Sequence, residues 1–271
     1  MHPMLNIAIR AARSAGNLIV RYVDRVDRLN VTQKSYNEFV SEVDQQAEDV
    51  IVEVIRRAYP QHGIVGEEGG TRQGDDYTWV IDPLDGTTNF LHGFPQFSVS
   101  IALKHRDRLS QAVVYDPLRN ELFTATQGEG AQLNERRIRV SRHHHLRDAL
   151  LGTGFPYRFV VDVDAYLAIF RDLIVSTAGV RRPGSAALDL AYVAAGRLDG
   201  FWEFGLKEWD MAAGSLLIQE AGGMVGDPEG GDRYLGRGDI VAGNPKIYEA
   251  LIAIIRPHLA RLTADRGAPA G

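Results

Sequence analysis

Trp79-Val80-Ile81-Asp82-Pro83-Leu84-Asp85-Gly86-Thr87-Thr88-Asn89-Phe90 is the stretch on which the reading of this chain turns. Trp79 to Ile81 is short, apolar, partly β-branched and bounded by turn residues, the pattern of a buried strand. The strand is expected to end at Asp82, because Pro83 biases its predecessor away from helical dihedrals and fixes its own φ. Two carboxylates, Asp82 and Asp85, then stand with only Pro-Leu between them, followed by a polar Gly-Thr-Thr-Asn turn. Burying two acids at one spot is costly unless a cation sits there. The stretch therefore predicts a divalent-metal site with an adjoining phosphate cradle.

Size and composition bound the rest. With 271 residues the chain is one large domain or two smaller ones, long enough for a sizeable core. Its 45% hydrophobic and 24% charged residues are ordinary for a globular protein. A net charge of −5 argues against a general nucleic-acid coat, though direct nucleic-acid binding through a local basic patch stays open. There is no cysteine, which removes disulfides, thiolate zinc sites and cysteine nucleophiles together, and suits a reducing cytoplasm. Met1 to Arg13 lacks a signal-peptide core, and no apolar run of about 18 residues occurs, so no membrane span is expected.

Along the chain, Leu5, Ile9, Ala12, Gly16, Ile19 and Val23 recur at helical spacing and predict a helix from about Met4 to Val26. A polar extended segment, Val31 to Val40, contains Lys34. Ser41-x-x-Asp44 resembles a capping pair and opens a second helix, with the stripe Val43, Ala47, Val50, Ile51, Val54, Ile55 and Ala58, which Pro60 stops. Ile64-Val65 is a short strand ending in Gly66-Glu67-Glu68-Gly69-Gly70. After the Asp82 turn, Phe97 to Lys104, Gln111 to Tyr115 and Glu121 to Thr126 read as strands, with one more expected at Arg137 to Val140. His143 to His145 reads as a solvated connector, since histidine metal clusters need helical or cross-strand spacing.

That connector marks an expected division into an N-terminal half (1–141) and a C-terminal half (142–262), followed by a frayed tail (263–271). The second half predicts helices over Asp164 to Ser176, Pro183-Gly184-Ser185 through Ala195, Asp210 to Ala221 and Pro245 to Leu262. Between them come strands at Val180 to Arg182, Phe201 to Phe204 and Ile240 to Ala242. Strands and helices mixed in both halves favour α+β layers over a simple doubly wound sheet.

Further acids are candidates to join Asp82 and Asp85. Glu67 and Glu68 follow a strand and are flanked by glycines, Asp44 lies in a helix first turn, and Asp210 sits at a helix start beside small residues. Taken singly, Glu67-Glu68 also reads as a solvated turn, and Asp44 and Asp210 as helix caps. An oxygen-only ligand set favours a hard ion such as Mg²⁺ over zinc. Two such ions about 3.5–4 Å apart suit phosphate-ester hydrolysis, and Asp82 is the economical bridge between them. The Gly86-Thr87-Thr88 amides would serve a phosphate if they open a helix. Gly184-Ser185-Ala186 is a second such start, or a close helix contact.

Gly66-Glu67-Glu68, Asp82-Pro-Leu-Asp85-Gly-Thr-Thr-Asn-Phe90 and Trp209-Asp210-x-Ala-Ala-Gly214 together resemble the signatures of the inositol monophosphatase family. The resemblance runs from the first helix to about Leu262. It implies an α+β sandwich layered α-β-α-β-α, of the type shared with fructose-1,6-bisphosphatases. It implies lithium-sensitive hydrolysis of myo-inositol 1-phosphate with two or three Mg²⁺ ions and direct attack by water. Glu67, Asp82 and the Leu84 carbonyl would hold one ion; Asp82, Asp85 and Asp210 would hold another, with Glu67 ordering water around a third. Thr87 with Asp44 would position and deprotonate the attacking water, Glu68 would support the metal shell, and Lys34 would reach toward the site. Gly86, Thr87 and Thr88 would bind phosphate. Gly184, Ser185, Ala186 and Glu203 would contact the inositol hydroxyls, with Arg181 a neighbour.

Two departures stand out. Gly69 replaces a serine or threonine frequent in the family, which is expected to loosen that loop, and Arg181-Arg182-Pro183 differs from animal members. Other relatives act on fructose 1,6-bisphosphate or 3′-phosphoadenosine 5′-phosphate. The Arg181 to Gly196 and Asp116 to Thr126 stretches are similar to a bacterial branch that also acts in rRNA transcription antitermination, through NusA and RNA polymerase in the Nus complex. A homodimer is implied by the family. Arg136-Arg137 and Arg181-Arg182 are candidate contact pairs, or solvated and dimer-interface charge.

Overall fold

The computed structural model describes residues 2–28, 31–35, 38–156 and 163–264; side chains at 27–28, 31, 33–35, 38–40 and 263–264 also lie outside the described set. The chain opens with α1 (Pro3–Val20), the hairpin β1 (Val31–Ser35) and β2 (Glu38–Ser41), then α2 (Glu42–Ala58). Strands β3 (Gly63–Gly66), β4 (Gly70–Arg72) and β5 (Tyr77–Asp85) lead into the short α3 (Thr87–Leu91). Next come β6 (Ser98–His105), β7 (Arg108–Asp116), β8 (Glu121–Thr126), β9 (Gly130–Leu133) and β10 (Arg136–Arg137). The remainder is β11 (Leu150–Thr153), α4 (Val163–Ile174), β12 (Gly179–Arg181), α5 (Ala186–Ala194), β13 (Gly200–Glu203) and α6 (Glu208–Glu220). It closes with β14 (Met224–Gly226), α7 (Tyr234–Arg237), β15 (Ile240–Gly243), α8 (Pro245–Ile255) and α9 (Leu259–Ala264).

Among the described residues two sheets dominate. The larger has the order β10-β9-β8-β7-β6-β5-β3-β4 and is antiparallel except where β3 runs parallel to β5. The smaller, β12-β11-β13-β15-β14, mixes parallel and antiparallel pairs. Period-two alternation explains the layering. On β5, Trp79 and Ile81 enter one core and Val80 the other; on β7, Val113 and Tyr115 separate in the same way from Ala112 and Val114. The first core packs under α1 and α2, and the second under α5 and α6. The far side of α5 and α6 meets the smaller sheet, where Phe201 faces inward and Trp202 turns to a third core with α4 and α8. Five layers result, α-β-α-β-α, and the expected α+β sandwich is the observed one.

Because α6 lies between two sheets it is buried from Asp210 through Ile218, apolar or small nearly all round. Gly214 permits this: a Cβ there would stand 2.4 Å from the Leu190 Cβ of α5. Asp210 is not the N-cap that the sequence suggests. It occupies the third position of the helix and accepts the Lys207 backbone N–H at 2.7 Å.

Other boundaries shift for local reasons. The first helix ends at Val20, where Arg21 and Tyr22 N–H turn back to Leu18 and Ile19 carbonyls in tighter bonds, and a 3₁₀ segment Val23–Arg28 follows. The strand expected at Arg137 to Val140 is confined to Arg136–Arg137, while β9 and β14 are too short for a periodic signal. Pro257 breaks the expected final helix into α8, a 3₁₀ turn Arg256–His258 and α9. Residues 265–271 of the expected tail lie outside the described residues.

Candidate active site

The strand carrying the two acids does not stop at Asp82; it continues through Pro83 to Asp85. Its pairing with β6 matches Asp82 to Ser100 and Asp85 to Ser98, so three steps on β5 oppose two on β6. That bulge has a consequence. Residues three apart on a regular strand face opposite sides, but the extra residue restores parity, and both aspartates face the middle helical layer. Leu84 between them enters the opposite core. Pro83 is tolerated where the ladder is already interrupted.

The bulge thereby presents Asp82 and Asp85 to α6, whose third residue is Asp210. Ligand oxygens of the three carboxylates lie within 4.8 Å of one another, and the residues are only 1%, 8% and 3% exposed. Glu67 joins from the turn directly after β3: its N–H donates to the Ile81 carbonyl at 3.2 Å, which extends the parallel ladder by one step and sets it beside Asp82. Burial, reinforced by the negative charges of Glu67, Asp85 and Asp210, holds the Asp82 carboxyl well above the usual carboxylate range. An all-oxygen, like-charged, desolvated cluster of this kind fits a hard divalent cation, which would remove the repulsion that raises Asp82.

Each ligand candidate is braced. Asp82 Oδ1 accepts the Leu84 N–H at 3.0 Å. Asp85 Oδ2 accepts the Ser185 hydroxyl at 2.6 Å and the Ala187 N–H at 2.8 Å. Ser98 Oγ lies 3.3 Å from Ser185 Oγ, and Ser100 donates to the Trp209 carbonyl at 3.2 Å, so β6 also contributes polar residues to this layer.

Beside the acids the chain turns sharply. Gly86 has φ of 100° and caps α3, and a Cβ there would meet the Gln96 carbonyl at 2.9 Å. Thr87 donates to Asp44 Oδ1 at 2.7 Å and contacts the Leu84 carbonyl at 3.1 Å. Asp44 Oδ2 accepts the Ser41 N–H at 2.9 Å and its hydroxyl at 2.6 Å, closing the expected capping box. Asp44 is therefore a cap and a partner of Thr87 at once. It is fully buried, and that burial pushes its carboxyl up against the opposing effect of the Ser41 and Thr87 hydrogen bonds.

A cavity of about 240 Å³ opens over these groups. Of the residues anticipated from sequence, Glu67, Asp82, Leu84, Asp85, Gly86, Thr87, Thr88, Gly184, Ala186, Glu203 and Asp210 line it. Ser185 lies behind the wall, buried on Asp85. Glu68 has its N–H held by Glu48 at 2.9 Å and is not among the lining residues. Lys34 belongs to β1, and its side chain lies outside the described residues. Arg181 bonds its own strand at the Val180 carbonyl, whereas the neighbouring Arg182 lines the cavity with its guanidinium 4.9 Å from the Phe155 ring.

Several further residues take part. Asn89 donates to the Gln96, Pro183 and Gly184 carbonyls at 2.7, 2.9 and 3.2 Å, tying the turn to the opposite wall. Glu48 carried a legible signal, an acid one helical turn after Asp44 in an apolar stripe. Ser98 and Ser100 carried another, polar residues at period two in an apolar strand. Phe155 had none. The histidine run is exposed, and His143 pairs at 2.8 Å with Asp199, whose other oxygen accepts the Leu150 N–H at 2.6 Å.

A family model described as Inositol monophosphatase family matches residues 1–260. The chain belongs to the inositol monophosphatase family. Within the family, a relative called Nus factor SuhB from Pseudomonas aeruginosa is 59% identical over 265 residues, covering 96% of this chain and 98% of the relative. The crystal structure of extragenic suppressor protein suhB from Bartonella henselae has a TM-score of 0.92 at 44% identity, covering 94% of this chain and 99% of that one. An inositol monophosphatase structure from Anabaena (Nostoc) has a TM-score of 0.82 at 40% identity, with coverage of 94% and 95%. Among the described residues no helix is long and apolar enough to cross a membrane.

Proposed function

We propose that this chain is a Mg²⁺-dependent phosphatase acting on a small polyol monophosphate, with myo-inositol 1-phosphate as the substrate class of choice. The observation that carries the reading is the Thr87–Asp44 hydrogen bond beside a buried cluster of three carboxylates. Glu67, Asp82 and the Leu84 carbonyl would hold one ion, and Asp82, Asp85 and Asp210 a second, with Glu67 ordering water for a third and Glu68 supporting from behind. When bound, the ions supply positive charge to the phosphoryl oxygens and make a water acidic enough to attack.

The protein's own groups do the rest. Thr87 Oγ1 donates to Asp44, which leaves the hydroxyl oxygen to accept from an attacking water, with Asp44 as the final proton acceptor. A carboxyl raised by burial is a better base near neutral pH than an exposed one. Gly86, Thr87 and Thr88 face the phosphate. Gly184, Ala186 and Glu203 face the polyol from the far wall, with Ser185 setting Asp85 between the two and Arg181 next to Arg182. Lys34 is assigned an approach to the site by family resemblance alone. Fructose 1,6-bisphosphate and 3′-phosphoadenosine 5′-phosphate are the competing substrates. A panel of inositol, glycerol, fructose and adenosine phosphates, run with Mg²⁺ titration and lithium, is the test. Preferred turnover of inositol 1-phosphate supports the reading, and turnover of none of them removes it.

A second role rests on the relative named as a Nus factor. In this reading the chain, as a cytoplasmic homodimer, joins the transcription antitermination complex through NusA and RNA polymerase. Pull-down of purified NusA by wild type and by D82N tests it. Retention by both supports a role separate from catalysis, and capture by neither sinks the role.

A further inference from the structure

Glu67 is the one proposed metal ligand carried on a hairpin turn: β3 and β4 pair antiparallel up to Gly66 opposite Gly70, and residues 67–69 lie outside that pairing. β3 ends at Gly66, and β4 resumes at Gly70. One buried side chain spans that gap. Glu48, 5% exposed on α2, accepts the Glu68 N–H on Oε2 at 2.9 Å and the Gly69 N–H on Oε1 at 2.6 Å. Since the Glu67 N–H is already bonded to Ile81 at 3.2 Å, three successive amides of the turn are committed.

The surrounding residues make room for this carboxylate. A Cβ on Gly66 would lie 2.5 Å from Glu48 Oε1, and one on Gly69 would lie 2.6 Å from the same atom. Gly69, where the family frequently has serine or threonine, is thus the place into which Glu48 reaches. The substitution expected to loosen the loop is accompanied by a contact that holds it. Asp44 and Glu48 are four residues apart on one buried face of α2, so a single helix supports both the Thr87 hydroxyl and the Glu67 turn.

We infer that Glu48 is a positioning residue for Glu67: by accepting the two amides after it, Glu48 holds the turn so that the Glu67 carboxylate meets the Asp82 cluster. The assignment rests on the reading of Glu67 as a metal ligand. Residues that orient metal ligands from behind are worth roughly 10–100-fold in metal affinity. Glutamine at position 48 keeps the volume but replaces one acceptor oxygen with an NH₂ that cannot accept an N–H.

The test compares wild type, E48Q and E67Q by Mg²⁺ calorimetry, by amide hydrogen exchange at Glu68 and Gly69, and by phosphate release under Mg²⁺ titration. In E48Q the expected result is about tenfold weaker Mg²⁺ binding, faster exchange at both amides, and turnover at saturating Mg²⁺ within about threefold of wild type. Weaker Mg²⁺ binding in E67Q but not in E48Q overturns the role of Glu48, as does unchanged exchange at both amides. Unchanged binding in both variants overturns Glu67 as a ligand and the proposal with it. A wild type that binds Mg²⁺ but releases no phosphate overturns only the phosphatase reading, because calorimetry and exchange report on Glu48 without turnover. If E48Q does not melt cooperatively, E48D, which keeps the charge and shortens the reach, is put through the same measurements with the same criteria.

Discussion

Ser185 donates its hydroxyl to Asp85 Oδ2 at 2.6 Å across one hundred positions of sequence. The same carboxylate oxygen accepts the Ala187 N–H at 2.8 Å, so the start of α5 is hung on an acid of the candidate metal cluster. A metal candidate and the cavity wall at the start of α5 are therefore set by one group. Removing the hydroxyl in Ser185→Ala takes away a hydrogen bond to a charged acceptor, worth about 1.5–3 kcal/mol. The expected outcome is a rise in both half-saturating Mg²⁺ and substrate KM with little change in the fold. Mg²⁺ titration at several substrate concentrations measures both, and a change confined to kcat would contradict the arrangement.

Asp82 sits where repulsion and burial are greatest. In D82N the cation-free protein is expected to be more stable than wild type. Burial and like charge raise the folded carboxyl's pKa, so at neutral pH the folded chain must carry a disfavoured charge or take up a proton that the unfolded chain does not bind, and asparagine does neither. The shift in Tm should be about 2–4 °C for each 1 kcal/mol relieved. The same variant should lose Mg²⁺-induced stabilisation and hydrolysis. Thermal melts with and without Mg²⁺ show both effects, and a D82N protein still stabilised by Mg²⁺ would remove Asp82 from the ligand set.

The Thr87–Asp44 pair is open to a graded test. Thr87→Ser keeps the hydroxyl and should retain most activity, while Thr87→Val and Asp44→Asn should each cost about 10²–10⁴ in kcat. Because the two act as one unit, the double variant should be scarcely worse than either single one. Steady-state kinetics with saturating Mg²⁺ distinguishes this from additive losses, which would mean independent roles.

His62 supplies a pH dependence away from the acids. Its Nδ1 accepts the Trp79 indole N–H at 3.0 Å, and its ring stacks on Tyr59 and Tyr77 at centroid distances of 4.6 and 4.9 Å. Burial lowers its pKa from the ordinary 6.5, opposed by Asp75. The unfolded chain therefore binds this proton more readily than the folded one. The resulting stability is fully present above pH 6.5 and lost as pH falls toward the lowered folded value. Urea melts between pH 8 and 5 should show that decline in wild type. His62→Gln, which cannot titrate yet still offers an acceptor to the indole, should flatten part of it.

Asn89 predicts a steeper loss. Its amide faces three carbonyl oxygens, those of Gln96, Pro183 and Gly184. Asn89→Asp would set a carboxylate against them at a half-buried position, where leaving such carbonyls without their donor costs about 1–3 kcal/mol, more where charge is involved. A lowered Tm with a raised substrate KM is expected; an unchanged Tm would show that the turn and the Gly184 wall are held by other contacts.

Much of this protein was legible in its residues alone. The buried strand at Trp79 to Ile81, the Ser41–Asp44 capping pair and the small-residue helix after Ser185 follow from local rules of period, capping and volume, and the structure bears each of them out. The acids were legible as types, since a cysteine-free chain concentrating aspartates at strand ends suits a hard cation. Two kinds of information were not. Parity along β5 depends on its register with β6, and the one-residue bulge that turns Asp82 and Asp85 to the same side is a property of the pair of strands. Convergence is the other: Asp210 reaches the cluster because α6 is packed between two sheets, Ser185 because α5 lies beside it, and Glu48 because α2 passes behind the Glu67 turn. Which groups the chain owns is written in one dimension; which of them share a cavity was decided by burial of both sheet faces, a cooperative choice that no local stretch makes by itself.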